Sequence, residues 1–152
     1  MKYYRLCQDR RIPYSVLLTN LNNIGGYYES KGGNLSLLDK TIVSFVNSSP
    51  INFYPDILDR QIFMIKDAVK EVFDLFMPEL EYKHCCLLDN PNNRHELYFI
   101  PVLDLVDMSK NSTKGTHIFR LKDTREIEVI ISLEVVEAIL RRKSAGIRIS
   151  PV

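Results

Sequence analysis

One pattern constrains this chain more than any other, and it occurs twice. Ile62-Phe63-Met64-Ile65 is a short apolar run of the kind found in buried strands. Val69, Val72, Phe73 and Phe76 follow at i, i+3, i+4 and i+7, which is one stripe of an α-helix. Lys70, Glu71 and Asp74 fall on the opposite side of that helix. Asp67 is placed to cap its start, and Pro78 ends it, because proline lacks an N–H and clashes with the preceding turn. A strand from about Tyr82 to Leu88 completes the unit.

Near the C-terminus the order recurs. Val129-Ile130-Ile131 reads as a strand, Ser132 as an N-cap, and Val135, Ala138 and Ile139 as an apolar helical stripe. Glu137 and Arg141 stand at i, i+4, where they can pair. Gly146 suits the C-terminal turn, and Ile147-Arg148-Ile149 leaves as a strand. Sliding one segment over the other aligns Val135 with Val69, Glu137 with Glu71, Ala138 with Val72 and Ile139 with Phe73. Any amphipathic helix shares that spacing, so the match speaks less for duplication than for two helices covering the same kind of sheet surface. The fold expected is α+β. A mixed or mainly antiparallel sheet carries short amphipathic helices packed against it, in two strand–helix–strand units.

Between and before these units the signal is local. Tyr3 to Leu6 and Tyr14 to Leu18 can form short strands, and Thr41 to Val46 a third, broken by Asn47-Ser48-Ser49-Pro50. Asn20 to Asn34 is rich in Asn, Gly and Ser and reads as an irregular loop. The turn Asp89-Asn90-Pro91-Asn92-Asn93 leads into a strand over Glu96 to Ile100, with Leu103 to Val106 continuing the sheet. His117 to Leu121 and Ile127 to Ile131 form a hairpin around Asp123-Thr124-Arg125, and the alternation of Ile127, Val129 and Ile131 buries one face.

Length and charge bound what such a chain does. Its 152 residues make one domain, 1–152, with 45% hydrophobic and 26% charged residues, enough for a core without metal or disulfide support. The net charge is +1 and the basic residues are scattered, which argues against binding nucleic acid through phosphates. The densest run, Arg141-Arg142-Lys143, complements the negative end of a helix dipole. Three cysteines, Cys7 and the adjacent Cys85-Cys86, do not make a disulfide framework and fit a reducing compartment. Charges in the stretch Met1 to Arg11 stand where a signal peptide would place its apolar core. No apolar run approaches the roughly 20 residues needed to cross a bilayer, so no membrane association is expected.

Catalytic constellations are weak. His84, Cys85, Cys86 and His95 are suitable zinc ligands, but along a strand His84 and Cys86 face one side and Cys85 the other. Lys114-Gly115-Thr116 lacks the upstream glycine and following helix of a phosphate loop. Gly25-Gly26 and Gly32-Gly33 lack the strand-before, helix-after setting of a dinucleotide site. No nucleophile elbow is present, and the carboxylate pairs Asp104/Asp107 and Glu134/Glu137 are of a common, solvated kind. No catalytic residue, cofactor site or metal site is assigned. The residues singled out for partner binding are Tyr27 and Tyr28, two adjacent aromatics in a polar, Gly-rich loop.

The chain resembles a family of immunity proteins from bacterial polymorphic toxin systems. The resemblance runs through Tyr3-Tyr4-Arg5-Leu6, the segment from Ile62 to Phe76, Val102-Leu103-Asp104-Leu105-Val106-Asp107, His117-Ile118-Phe119-Arg120 and Gly146 to Val152. It covers mainly the part from Ile62 onward. Lys66 stands where a small polar helix cap is usual and Ile149 where an aromatic is usual. The resemblance implies a cytoplasmic protein that binds one cognate toxin protein and blocks it by stoichiometric occlusion, with no cofactor. Two other classes stay open: a small hydrolase or nuclease whose site is assembled from scattered His and acidic residues, and a ligand-sensing module or homo-oligomer paired through a sheet edge.

Overall fold

The computed structural model describes residues 1–19, 39–107, 115–121 and 128–152. Among these described residues, ten strands and two α-helices lie in the order β1 (Tyr3–Gln8), β2 (Thr41–Phe45), β3 (Ile57–Leu58), β4 (Met64–Ile65), α1 (Asp67–Phe76), β5 (Tyr82–Asp89), β6 (Arg94–Pro101), β7 (Leu105–Val106), β8 (Ile118–Leu121), β9 (Val129–Ser132), α2 (Leu133–Leu140) and β10 (Ile147–Pro151). They form an α+β fold, but with two mixed five-stranded sheets where one was expected. The first has the order β10-β1-β9-β8-β7 and the second β2-β5-β6-β4-β3.

The two strand–helix–strand units are real and share a topology that spacing did not disclose. β4 and β5 are not paired with each other; both pair antiparallel with β6, which lies between them. In the same way β9 and β10 both pair antiparallel with β1. Each helix therefore links two parallel strands separated by one inserted antiparallel strand. β3 flanks β4 as β8 flanks β9. The inserted strand follows directly in the first unit, whereas the second unit takes it from the N-terminus of the chain. α1 and α2 lie against each other, and Arg142 Nε stands 3.9 Å from Glu71 Oε2 across that contact.

Local sequence accounts for the helix ends, with two corrections. Asp67, expected as the cap of α1, lies inside its first turn; Lys66 holds the N-cap position and makes no side-chain cap bond. At the far end Met77 closes the helix just before Pro78. Ser132 caps α2 as expected, its hydroxyl accepting from Val135 N at 3.4 Å. At the C-terminus of α2 it is Arg142 that supplies the cation, donating to the Ala138 carbonyl at 3.0 Å.

Leu6, Val69, Val72, Phe73, Cys85, Leu87, Tyr98, Ile100, Val129, Ile131, Val135 and Ile139 belong to one buried cluster drawn from both sheets and both helices. β9 departs from the expected half-burial, since all four of its residues are buried. Val129 and Ile131 face the main cluster, while Ile130 packs on the reverse side with Phe119 and Val106. Ile127 and the Asp123-Thr124-Arg125 turn lie outside the described residues.

The sheets are joined by reciprocal hydrogen bonds. Gln8 N donates to Asp59 Oδ2 at 2.9 Å, and Asp59 N donates to Gln8 Oε1 at 3.2 Å. Asp56 N also donates to the Ala145 carbonyl at 2.8 Å, while the bond from Asp9 N to the Gly146 carbonyl, also 2.8 Å, extends the β1–β10 ladder. Tyr14 to Leu18, expected as a strand, makes only isolated bridges among the described residues, from Ser15 to Phe53 and from Leu18 to Val46. Tyr14 sits at φ 65°, a left-handed conformation that breaks the extended run.

Candidate functional site

The second sheet has one face in the core and one that is largely open. Cys85, Leu87, Tyr98 and Ile100 point inward and are fully buried. On the reverse side the register forms three cross-strand rows. Thr41 of β2 lies opposite His84 of β5, which lies opposite Phe99 of β6; then come Val43, Cys86 and Leu97; then Phe45, Leu88 and His95. Residues directly opposite in a sheet project to the same side and touch, so these rows make one continuous surface.

α1 closes only one end of that surface. Lys70 Nζ stands 4.7 Å from the Tyr82 ring centroid and 5.3 Å from that of Phe99, and the Tyr82 hydroxyl donates to Asp74 Oδ1 at 2.8 Å. Burial and that carboxylate push the Tyr82 phenol well up, so it stays a neutral donor. Phe99 is thereby buried. Beyond it the surface is exposed: Val43 at 59%, Phe45 at 50% and Leu97 at 45%. Cys86 and Leu88 are half-buried between them, and the exposed His95 ends the last row. Apolar side chains standing together on rigid strands are characteristic of an interaction surface, whereas single exposed ones are ordinary. The alternation of β5 gives no sign of this, because it is apolar on both faces.

The expected partner-binding residues Tyr27 and Tyr28 lie outside the described residues. The chain is anchored beside the open face on either side of them. Thr19 N donates to the Phe45 carbonyl at 2.9 Å, and the Lys40 carbonyl accepts from His84 N at 2.8 Å.

The enzyme reading finds one pair of interest. His117 Nδ1 lies 2.8 Å from Ser132 Oγ, a nucleophile-to-base distance. Ser132, however, is wholly buried and its hydroxyl caps α2, so a substrate carbonyl has no approach to it. The pair ties β8 to β9 and α2. The nearby Glu134 carboxyl is held below the usual carboxylate range, first by backbone hydrogen bonding and then by Ser132, as befits a carboxylate in the first turn of a helix.

The potential zinc ligands are not gathered. Cys85 faces the core, where burial pushes its thiol up to about 12, while His84 and Cys86 face the open side. Among the described residues no group of three His, Cys, Asp or Glu side chains is arranged to hold a metal. Nor, among them, is any helix long and apolar enough to cross a membrane. Fold and surface together define a mixed α+β protein whose most distinctive feature is an open apolar sheet face. No family model and no curated protein compared with the chain matches it.

Proposed function

We propose that the protein acts by binding, as an immunity protein that neutralises a cognate bacterial toxin in the cytoplasm of the producing cell, and that the open face of β2, β5 and β6 is its contact surface. The observation that carries this reading is the group Val43, Phe45 and Leu97, each left 45–59% exposed on β2 and β6, the two strands that flank β5, in a sheet whose other face is packed. A surface so supported is already in its bound shape, and little ordering entropy is lost on association. Occlusion needs no catalytic group, only area and complementarity, commonly about 1,600 Å² in total. The family resemblance supports the choice of partner.

The test is co-expression with the product of the adjacent gene. The chain is expected to rescue growth and to co-purify with that product at a 1:1 ratio. Val43→Asp with Leu97→Asp should abolish both while leaving the chain folded, because these side chains are exposed. A neighbour that is harmless, or that stays toxic and unbound, overturns the reading. A double variant that protects and binds as wild type removes this face as the contact.

A further inference from the structure

The outer face of the first sheet carries a second, chemically different feature. A cavity of 220 Å³ opens at the β1–β10 end of that sheet, lined by Arg5, Cys7, Arg10, Asp59, Glu128 and Arg148 among others. Strand pairing puts the basic groups together. Cys7 lies opposite Arg148 and Arg5 opposite Ser150, so Arg5, Cys7 and Arg148 share one face.

Two of the three guanidiniums are held in place. Arg5 Nε donates to Glu128 Oε1 at 3.1 Å, and one of its terminal nitrogens donates to the Pro151 carbonyl at 3.0 Å. Arg10 donates to Asp59 Oδ1 at 3.2 Å, and Asp59 is itself buried and fixed by Gln8 N at 2.9 Å. A guanidinium has five N–H donors, so neither arginine has used its set. The Arg148 guanidinium makes no hydrogen bond or ion pair among the described residues. Three cations thus face two carboxylates, leaving one positive charge.

Cys7 does not add a third anion to the two carboxylates. Burial, followed by the Asp59 carboxylate, pushes the Cys7 thiol up despite Arg148 and Arg10 nearby. It stays protonated at neutral pH and donates to the Arg148 carbonyl at 3.5 Å. Sites that enclose a drug-sized ligand run to about 300–1,000 Å³, so this smaller space suits a single charged group. Planar guanidinium forks match the oxygens of carboxylates and phosphates.

We propose that this cavity is a binding site for a small oxyanion of the carboxylate or phosphate class, with Arg148 as the principal ligand and Arg5 and Arg10 as its positioned flank. It shares no residue with the open face of the second sheet and does not rest on the toxin-binding reading. The experiment uses the full chain at constant ionic strength. Sodium phosphate and sodium succinate are titrated separately against a sodium chloride control, followed by thermal midpoint and by arginine Nε–H resonances. Phosphate or succinate is expected to raise the midpoint and shift the Arg148 resonance where chloride does neither. A response to phosphate alone assigns the phosphate class, and a response to succinate alone the carboxylate class. Arg148→Gln should weaken binding by about tenfold or more, the loss expected when a hydrogen bond to a charged group is removed. Arg148→Lys, which keeps the charge but not the fork, should retain part of it. Arg148 is exposed, so both variants should fold. Equal responses to all three salts, or wild-type binding by Arg148→Gln, overturn the proposal.

Discussion

Gly146 sits where the two halves of the protein meet, and replacing it by alanine isolates the energetics of that joint. The residue adopts φ +79°, and its carbonyl accepts from Asp9 N. An added Cβ would overlap the Pro55 Cβ and would lie 3.1 Å from Pro55 Cα and 3.3 Å from Phe53 Cε1. Neither proline ring nor backbone can swing aside as a long side chain can. The left-handed conformation costs an L-residue about 1–2 kcal/mol. Overpacking adds about 1–3 kcal/mol. Alanine returns about 0.4–1 kcal/mol by narrowing the unfolded ensemble. The net loss for Gly146→Ala is therefore about 2–4 kcal/mol, or about 5–15 °C in thermal midpoint for a chain of this size.

Gly115 supplies the control. Its φ is +75°, but among the described residues a Cβ there meets nothing within 4 Å. Gly115→Ala should therefore cost only about 0.5–1 kcal/mol, the strain less the unfolded-state gain. Urea unfolding followed by circular dichroism measures both, with the midpoint shifted and the slope unchanged. Equal losses for the two variants would refute the reasoning, because the difference between them is the steric contact with Pro55 and Phe53.

Two further predictions follow from buried polar and thiol groups. The Asp89 carboxyl is held below its usual 3.8, chiefly by the Asn92 side-chain amide, with the Tyr54 hydroxyl and the Asn52 amide also donating to it. A depressed carboxyl stabilises the fold at all pH values above 3.8 and loses that contribution as pH falls from there through its lower folded value. Asp89→Asn should flatten the acid limb of the pH–stability curve in that window; an unchanged limb would show that other carboxylates set it. Among single-cysteine variants, the half-buried Cys86 should react with a thiol reagent at pH 8 in the native protein, and Cys85 only on unfolding, since burial pushes its thiol up to about 12. Native labelling of Cys85 at the rate of Cys86 would contradict the assignment of the two faces of β5.

How much of this was legible beforehand depended on whether the information was local. The helical stripes, Ser132 as a cap and Pro78 as a stop are statements about residues within a few positions, and the structure shows each; Gly146, expected in the turn that ends α2, instead bends the chain into β10, because Arg141 already closes the helix. Asp67 was one position out, because Lys66 in extended conformation takes the cap with no side-chain bond. What was not legible is pairing. Nothing in Tyr3-Tyr4-Arg5-Leu6 says that it inserts between β9 and β10, and nothing in Thr41 to Phe45 says that it runs parallel to β5. The open face was hidden for a related reason. His84, Cys86 and Leu88 alternate with Lys83, Cys85 and Leu87, and neither set is clearly polar, so period two cannot tell solvent from core. The basic cavity was hidden by distance, since Arg5 reaches the Pro151 carbonyl 146 residues away.

Those pairings also separate the two surfaces physically. The first unit, β3 to β6, is contiguous, and its inserted strand follows the strand it pairs with after a single turn of 3₁₀-helix over Asn90–Asn92. The second unit cannot close until β1 and β10 meet, so it carries the loop-closure entropy of almost the whole chain. Of the exposed apolar residues Leu97 stands on the locally closed unit, while Val43 and Phe45 come from β2, added parallel at its edge. The guanidiniums of Arg5 and Arg148 come together only across the β1–β10 ladder. The apolar contact surface thus needs one strand added to a locally closed unit, while the charged cavity reports on whether β1 and β10 have paired.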